Sequence, residues 1–219
     1  MAYTVQQLVD RVSADLHDTR ATRRWEDDLI IDFINDGSNE IMMIRPESTS
    51  AVADYTTVTG VRQELATTDY RLLDILHNGT IAVPGGAVRQ VSLEELDSYT
   101  PNWRAATATA TALEFTYDEN DSRGFYVLPP SIASSTVVAL VSQYPTAVTV
   151  VGDNLSIRDE YFTALQYYVC WRCLNQDFEF TESNRAENFY KKFMAALQMK
   201  DGGDNKAFPQ TEQVTDRTT

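Results

Sequence analysis

Cysteine and histidine are scarce in this 219-residue chain, with two of each. Two cysteines cannot build a disulfide framework, and Cys170 and Cys173, spaced C-x-x-C, would need further ligands to hold zinc. His17 and His77 lie far apart in sequence. No stretch approaches the roughly 18 consecutive apolar residues of a membrane-spanning helix. The opening Met1-Ala2-Tyr3-Thr4-Val5-Gln6-Gln7 has no basic segment followed by an apolar run, so no secretory signal is expected. P-loop, G-x-G-x-x-G, G-x-S-x-G and H-E-x-x-H patterns are all missing. The expectation is a soluble, non-enzymatic protein without cofactor or metal, made in a reducing cytoplasm. Basic residues are also in deficit: 18 Lys and Arg face 32 Asp and Glu, a formal charge of −14. That balance excludes broad non-specific DNA binding, which needs clustered cations on phosphates. It leaves open a place beside DNA where an acidic surface repels.

What is present is enough apolar material for a core, 43% hydrophobic with 11% aromatic residues. Val5, Leu8, Val9, Val12 and Leu16 fall at helical spacing and predict a first helix from Val5 to Asp18. Thr4 with Gln7 reads as its capping box. A second helix is predicted from Glu26 to Arg45, with Glu26, Asp27 and Asp28 at the positive end of its dipole. Leu29, Ile30, Phe33, Ile34, Gly37, Ile41 and Ile44 form its apolar face, where Gly37 would admit a closely packed helix. Pro46 ends it.

From Ser48 to Ile157 the period becomes that of strands. Asn78-Gly79, between Leu72–His77 and Thr80–Val83, reads as a tight hairpin turn. Pro84-Gly85-Gly86 reads as another turn. Ser92 with Glu95 reads as a capping box for a short helix to about Ser98. Leu113, Phe115 and Tyr117 alternate with polar residues, and Thr136 to Tyr144 is the longest β-branched run. The region is expected to be mostly antiparallel β. Two helices return at the end, from Arg158 to about Phe178 and from Ser183 or Asn184 to about Met199. Residues 201–219 read as a flexible tail. Four amphipathic helices at the two chain ends cannot bury their stripes alone. The predicted architecture is therefore α+β: a discontinuous four-helix bundle from residues 1–47 and 158–200, with an inserted antiparallel β domain at 48–157.

The candidate chemical groups mostly have structural readings. Cys170-Trp171-Arg172-Cys173 lies mid-helix, so its cysteines read as small buried residues rather than a redox pair. Asp27-Asp28, Glu94-Glu95 and Asp159-Glu160 all fall at predicted helix starts and complement helix dipoles. Asp118-Glu119-Asn120-Asp121 lacks the alternating ligand pattern of a calcium loop and reads as a solvated turn. The aromatic density from Tyr161 to Phe193 exceeds what one helix face buries. Tyr168, Trp171 and Tyr190, off the main stripes, together with Phe208, are expected at a contact surface, because aromatics are enriched at interface centres.

The opening Thr4-Val5-Gln6-Gln7-Leu8-Val9-Asp10-Arg11-Val12 resembles that of the head-to-tail adaptor (connector) family of short-tailed, podovirus-type phages. So does Arg24-Trp25-Glu26-Asp27-Asp28-Leu29-Ile30-Ile31-Asp32-Phe33-Ile34-Asn35-Asp36-Gly37, followed by Glu40-Ile41 and Arg45-Pro46. Gly60-Val61-Arg62-Gln63-Glu64-Leu65, Pro101-Asn102-Trp103-Arg104 and Phe125-Tyr126-Val127-Leu128-Pro129-Pro130 continue the likeness. Leu155, Tyr161, Ala164, Leu165, Tyr168, Asn184-Arg185-Ala186 and Phe189-Tyr190 carry it to about Lys200. Ala66-Thr67-Thr68 departs from it, standing where a proline-containing turn is expected.

The resemblance implies a structural virion protein at the head-tail junction. It implies a ring homo-oligomer, usually dodecameric, beneath the portal, extending the DNA channel and presenting a docking surface for tail nozzle and fibres. Duplex DNA would pass without sequence-specific binding, and no catalytic residues are implied. The tail, with Lys200, Lys206, Phe208 and Arg217, is expected to dock on the portal. Other neck components (head-completion or tail-terminator proteins) and a monomeric β-insertion binding module are the alternative readings.

Overall fold

A computed structural model describes residues 3–18, 24–118, 120–176 and 183–207. It is α+β: the described residues form five α-helices and eight strands in two sheets. Two compact units divide the chain, one drawn from residues 1–41 and 147–219, the other from residues 42–146.

In the first unit, α1 (Val5–Leu16) starts at the Thr4–Gln7 capping box, whose two reciprocal hydrogen bonds both form. It ends two residues before the expected Asp18, because His17 turns into the left-handed region at φ 56°. α2 (Asp27–Ile44) carries Asp27 and Asp28 in its first turn. The buried Asp18 carboxylate accepts the Arg24 amide at 2.9 Å and the Trp25 amide at 3.4 Å, which fixes the approach to α2. A 3-10 turn, Asp159–Tyr161, precedes α4 (Phe162–Asn175), so α4 begins and ends inside the predicted span. α5 is Ser183–Ala207. It runs past Met199, the expected end, and through Gly202-Gly203 into the segment expected to be a flexible tail. One apolar cluster draws on α1, α2, α4 and α5, including Leu8, Val12, Ile34, Leu165, Val169, Phe193 and Leu197.

In the second unit, a 3-10 turn begins at Pro46. The first sheet contains β1 (Ser50–Thr56), β3 (Asp69–Gly79), β4 (Pro84–Ala87) and β8 (Thr136–Gln143), ordered β1-β8-β3-β4 and antiparallel throughout. The second contains β2 (Gly60–Glu64), β5 (Arg89–Gln90), β6 (Glu114–Tyr117) and β7 (Gly124–Ser131), ordered β2-β7-β6-β5. Its β5–β6 pair is parallel, the exception to the antiparallel expectation. Leu72, Ile75, Phe115, Phe125, Val127, Val137, Ala139 and Val141 fill one core cluster. α3 (Leu93–Tyr99) starts at Ser92, whose Oγ accepts the Glu95 amide at 3.1 Å.

The hairpin turn is displaced from its predicted place. β3 continues through Asn78-Gly79, and the reversal lies at Thr80–Val83, whose amides and carbonyls bond reciprocally at 3.1 Å. Pro84-Gly85-Gly86, predicted as a turn, is strand β4. The reason is tertiary: the buried Asn78 side chain donates to the Ala112 carbonyl and accepts the Ala112 amide, both at 2.7 Å, and donates to the Gly86 carbonyl at 3.0 Å. Its amide therefore acts as a substitute ladder rung rather than as a turn former.

Candidate assembly surface

The aromatic residues of α4 and α5 form a connected row. Tyr168 meets Phe193 at 5.3 Å and Trp171 at 5.4 Å between ring centroids, both edge-on; Trp171 meets Tyr190 at 4.9 Å. Offset and edge-on pairs of this kind are the favourable arrangements of ring quadrupoles. The row grades from core to solvent. Tyr168, expected at a contact surface, is instead a core residue, 5% exposed. A Cβ on Gly37 would lie 2.6 Å from its ring, so α2 and α4 meet there. Its hydroxyl accepts from the Arg172 guanidinium at 2.9 Å, and burial raises its pKa. Arg172 also pairs with Asp36 at 3.1 Å and lies over the Phe33 ring. Trp171 is half-buried at the edge of the cluster and Tyr190 is 39% exposed. Lys192 lies over the rings of Tyr167 and Phe189, and Lys191 pairs with Glu187 at 2.7 Å. Lys200 and Lys206 fall within α5, while Phe208 and Arg217 lie outside the described residues.

The groups with chemical potential are placed structurally. Cys170 and Cys173 are fully buried; burial pushes both thiols up, Cys173 to about 12. Thiolate chemistry needs the opposite shift. Asp27-Asp28, Glu94-Glu95 and Asp159-Glu160 all occupy helical first turns. In the 118–121 turn, Asp118 accepts the Asn120 amide at 2.9 Å. Asp121 accepts the Gly124 amide at 2.9 Å and pairs with Arg62 at 3.0 Å, which holds its carboxyl below the usual range. Glu119 lies outside the described residues. Among the described residues no group of three or more His, Cys, Asp or Glu is placed to hold a metal. None of their helices is long and apolar enough to cross a membrane.

Two surfaces escaped the sequence reading. One is an exposed acidic row on α2: Asp28, Asp32, Asp36 and Glu40, at four-residue spacing on one face. Like charges so placed oppose helix formation by about 0.2–0.5 kcal/mol per pair. The other is an uncharged end of the second unit. Residues 75–88 and 105–113 contain no Asp, Glu, Lys or Arg. Asn78 ties these two stretches together, and Ile81, Val83 and Leu113 stand 57%, 72% and 63% exposed on them. The signal was available in the spacing of charges, whereas the reading followed apolar periodicity.

No curated protein matches the chain. A family model described as SU10 adaptor protein matches residues 3–214, a range that takes in both units. In agreement with the likeness to phage head-to-tail adaptors, the chain belongs to the SU10 adaptor protein family.

Proposed function

We propose that this phage adaptor assembles as a ring homo-oligomer, a dodecamer, between portal and tail, where it extends the DNA channel and presents a docking surface for nozzle and fibre proteins. The family match over residues 3–214 is the observation that carries the reading. Its location is the head-tail junction of the virion. α1, α2, α4 and α5 act in it as one four-helix bundle, with the β-rich segment 48–157 as an insertion. A closed ring needs two different surfaces per subunit, repeated by rotation. Trp171 and Tyr190 supply one of them: aromatic side chains with part of their surface still in water gain most from a partner.

Charge fits the conduit role. A formal charge of −14 per copy, with the α2 acids in a row, gives a ring surface that repels phosphate and lets duplex slide without holding it. The segment 201–219, with Lys206, Phe208 and Arg217, and the adjoining Lys200 dock on the portal. Removing residues 201–219 weakens portal attachment more than it weakens folding; unchanged portal binding by the truncated chain contradicts this. Electron microscopy of the full chain mixed with its portal tests the reading as a whole. A ring beneath the portal is expected. A chain that stays free of the portal, or adds as a single copy, favours a monomeric binding module instead.

A further inference from the structure

We infer that the exposed edge of β4, with Ile81 and Val83 of its hairpin and the neighbouring Leu113, is a contact between copies of this chain. The inference rests on the ring reading for its partner and goes beyond it in locating a surface. β4 ends the first sheet, and all four of its residues are exposed. Its outward amides and carbonyls can therefore receive another extended segment, the main-chain mode of strand addition.

The two glycines of β4 differ in a way that points to a neighbour. A Cβ at Gly85 would lie 2.9 Å from the Asn78 carbonyl oxygen, so the packing of β4 on β3 accounts for that glycine. At Gly86 a Cβ would meet nothing within 4 Å, and the backbone is not in the left-handed region. Nothing within the chain calls for glycine there, although glycine weakens a strand. A glycine of this kind marks the close approach of another backbone.

The hairpin is built to hold its apolar side chains out. Its loop is closed by the reciprocal Thr80–Val83 bonds, and the Ile81 amide donates to Asp54 at 2.8 Å. A shallow depression of about 560 Å³ beside it is lined by Thr80, Val83, Pro84, Gly86, Ala110 and Thr111, none of them charged. Exposed apolar patches on an otherwise charged protein mark contact sites. The absence of charge selects the occupant. A basic partner would be drawn to the acids elsewhere and would gain nothing from a neutral end. Copies at −14 each repel, and they approach at least cost where neither carries charge.

The test is light scattering of the full-length chain across concentration, for the wild type, Gly86→Val and Val83→Asp, with thermal unfolding of each. Gly86→Val fills open space and suits a strand, and Val83→Asp adds a charge at an exposed position, so both variants are expected to melt as the wild type does. The expected result is a wild type whose mass rises with concentration and variants shifted toward monomer by tenfold or more in midpoint. A wild type that associates while both variants associate equally overturns the inference and leaves the ring reading standing. A wild type that stays monomeric throughout counts against both. If Gly86→Val fails to fold, Val83→Asp alone decides.

Discussion

A Cβ built on Gly37 of α2 would sit 2.6 Å from Cδ1 of Tyr168 on α4, and 2.7 Å from Cδ1 of Leu165. Gly37 is thus the notch that lets the two helices close. Its helix-propensity cost, on the order of 1 kcal/mol, is offset by that approach. Gly37→Ala would regain the propensity but force an extra carbon into a filled core, which costs about 1–3 kcal/mol. Tyr168 cannot yield easily, being held by Trp171, Phe193 and Arg172. The overpacking cost wins: urea unfolding of G37A is expected to show a net loss of about 1 kcal/mol, and a gain would mean the helices are not in contact there.

Asn78 supports the β-rich unit in the same decisive way. Asn78→Ala leaves the buried amide and carbonyl of Ala112 without their partner, at about 1–3 kcal/mol for each unsatisfied group. A loss of about 2–4 kcal/mol is expected in chemical denaturation. Amide exchange should speed up at Ala112 first. Unchanged protection of that amide would count against the clamp.

The thiols should be silent in the native state. Both pKa values are raised by burial, so at pH 8 neither cysteine carries a thiolate, and neither is exposed. An aromatic disulfide reagent is expected to label no cysteine until denaturant is added, and two afterwards. Rapid native labelling would revive the redox reading.

Acid should weaken the fold through carboxylates with lowered pKa. Asp153 accepts the Thr149 and Val150 amides at 2.8 and 3.1 Å, which hold its carboxyl below the ordinary value of 3.8. A depressed pKa contributes stability above the unfolded value and loses it as pH falls through the folded one. Stability from this source is therefore level above about pH 5 and declines below about pH 4. Asp153→Asn is expected to flatten that decline in thermal unfolding followed against pH; an identical pH profile would refute the assignment.

The elements set by local rules were legible and those set by distant contacts were not. The α1 stripe and the Thr4–Gln7 box are complete within one helical turn, and Gly37 announced a close neighbour by standing on an apolar face. Asn78-Gly79 has the residues of a tight turn, yet its side chain is claimed by Ala112, which no local rule can see. The parallel β5–β6 pair is equally non-local. Tyr168 lay off the expected stripe because α4 has neighbours on more than one side: α1, α5 and, at Gly37, α2. A helix so surrounded buries more than one stripe. The assembly surface was half legible. Trp171 and Tyr190 stood out by residue type, while the uncharged end showed only in where charges were missing.

The central claim is that copies of this chain encircle a DNA passage under the portal. The most direct measurement is the mass that the full-length chain adds to its purified portal, read by light scattering and imaged by electron microscopy. The account predicts addition of a closed, dodecameric ring in register with the portal opening, with Trp171→Ala and Tyr190→Ala lowering its yield but not the chain's melting temperature. No added mass, or a single copy bound off the axis, would contradict it.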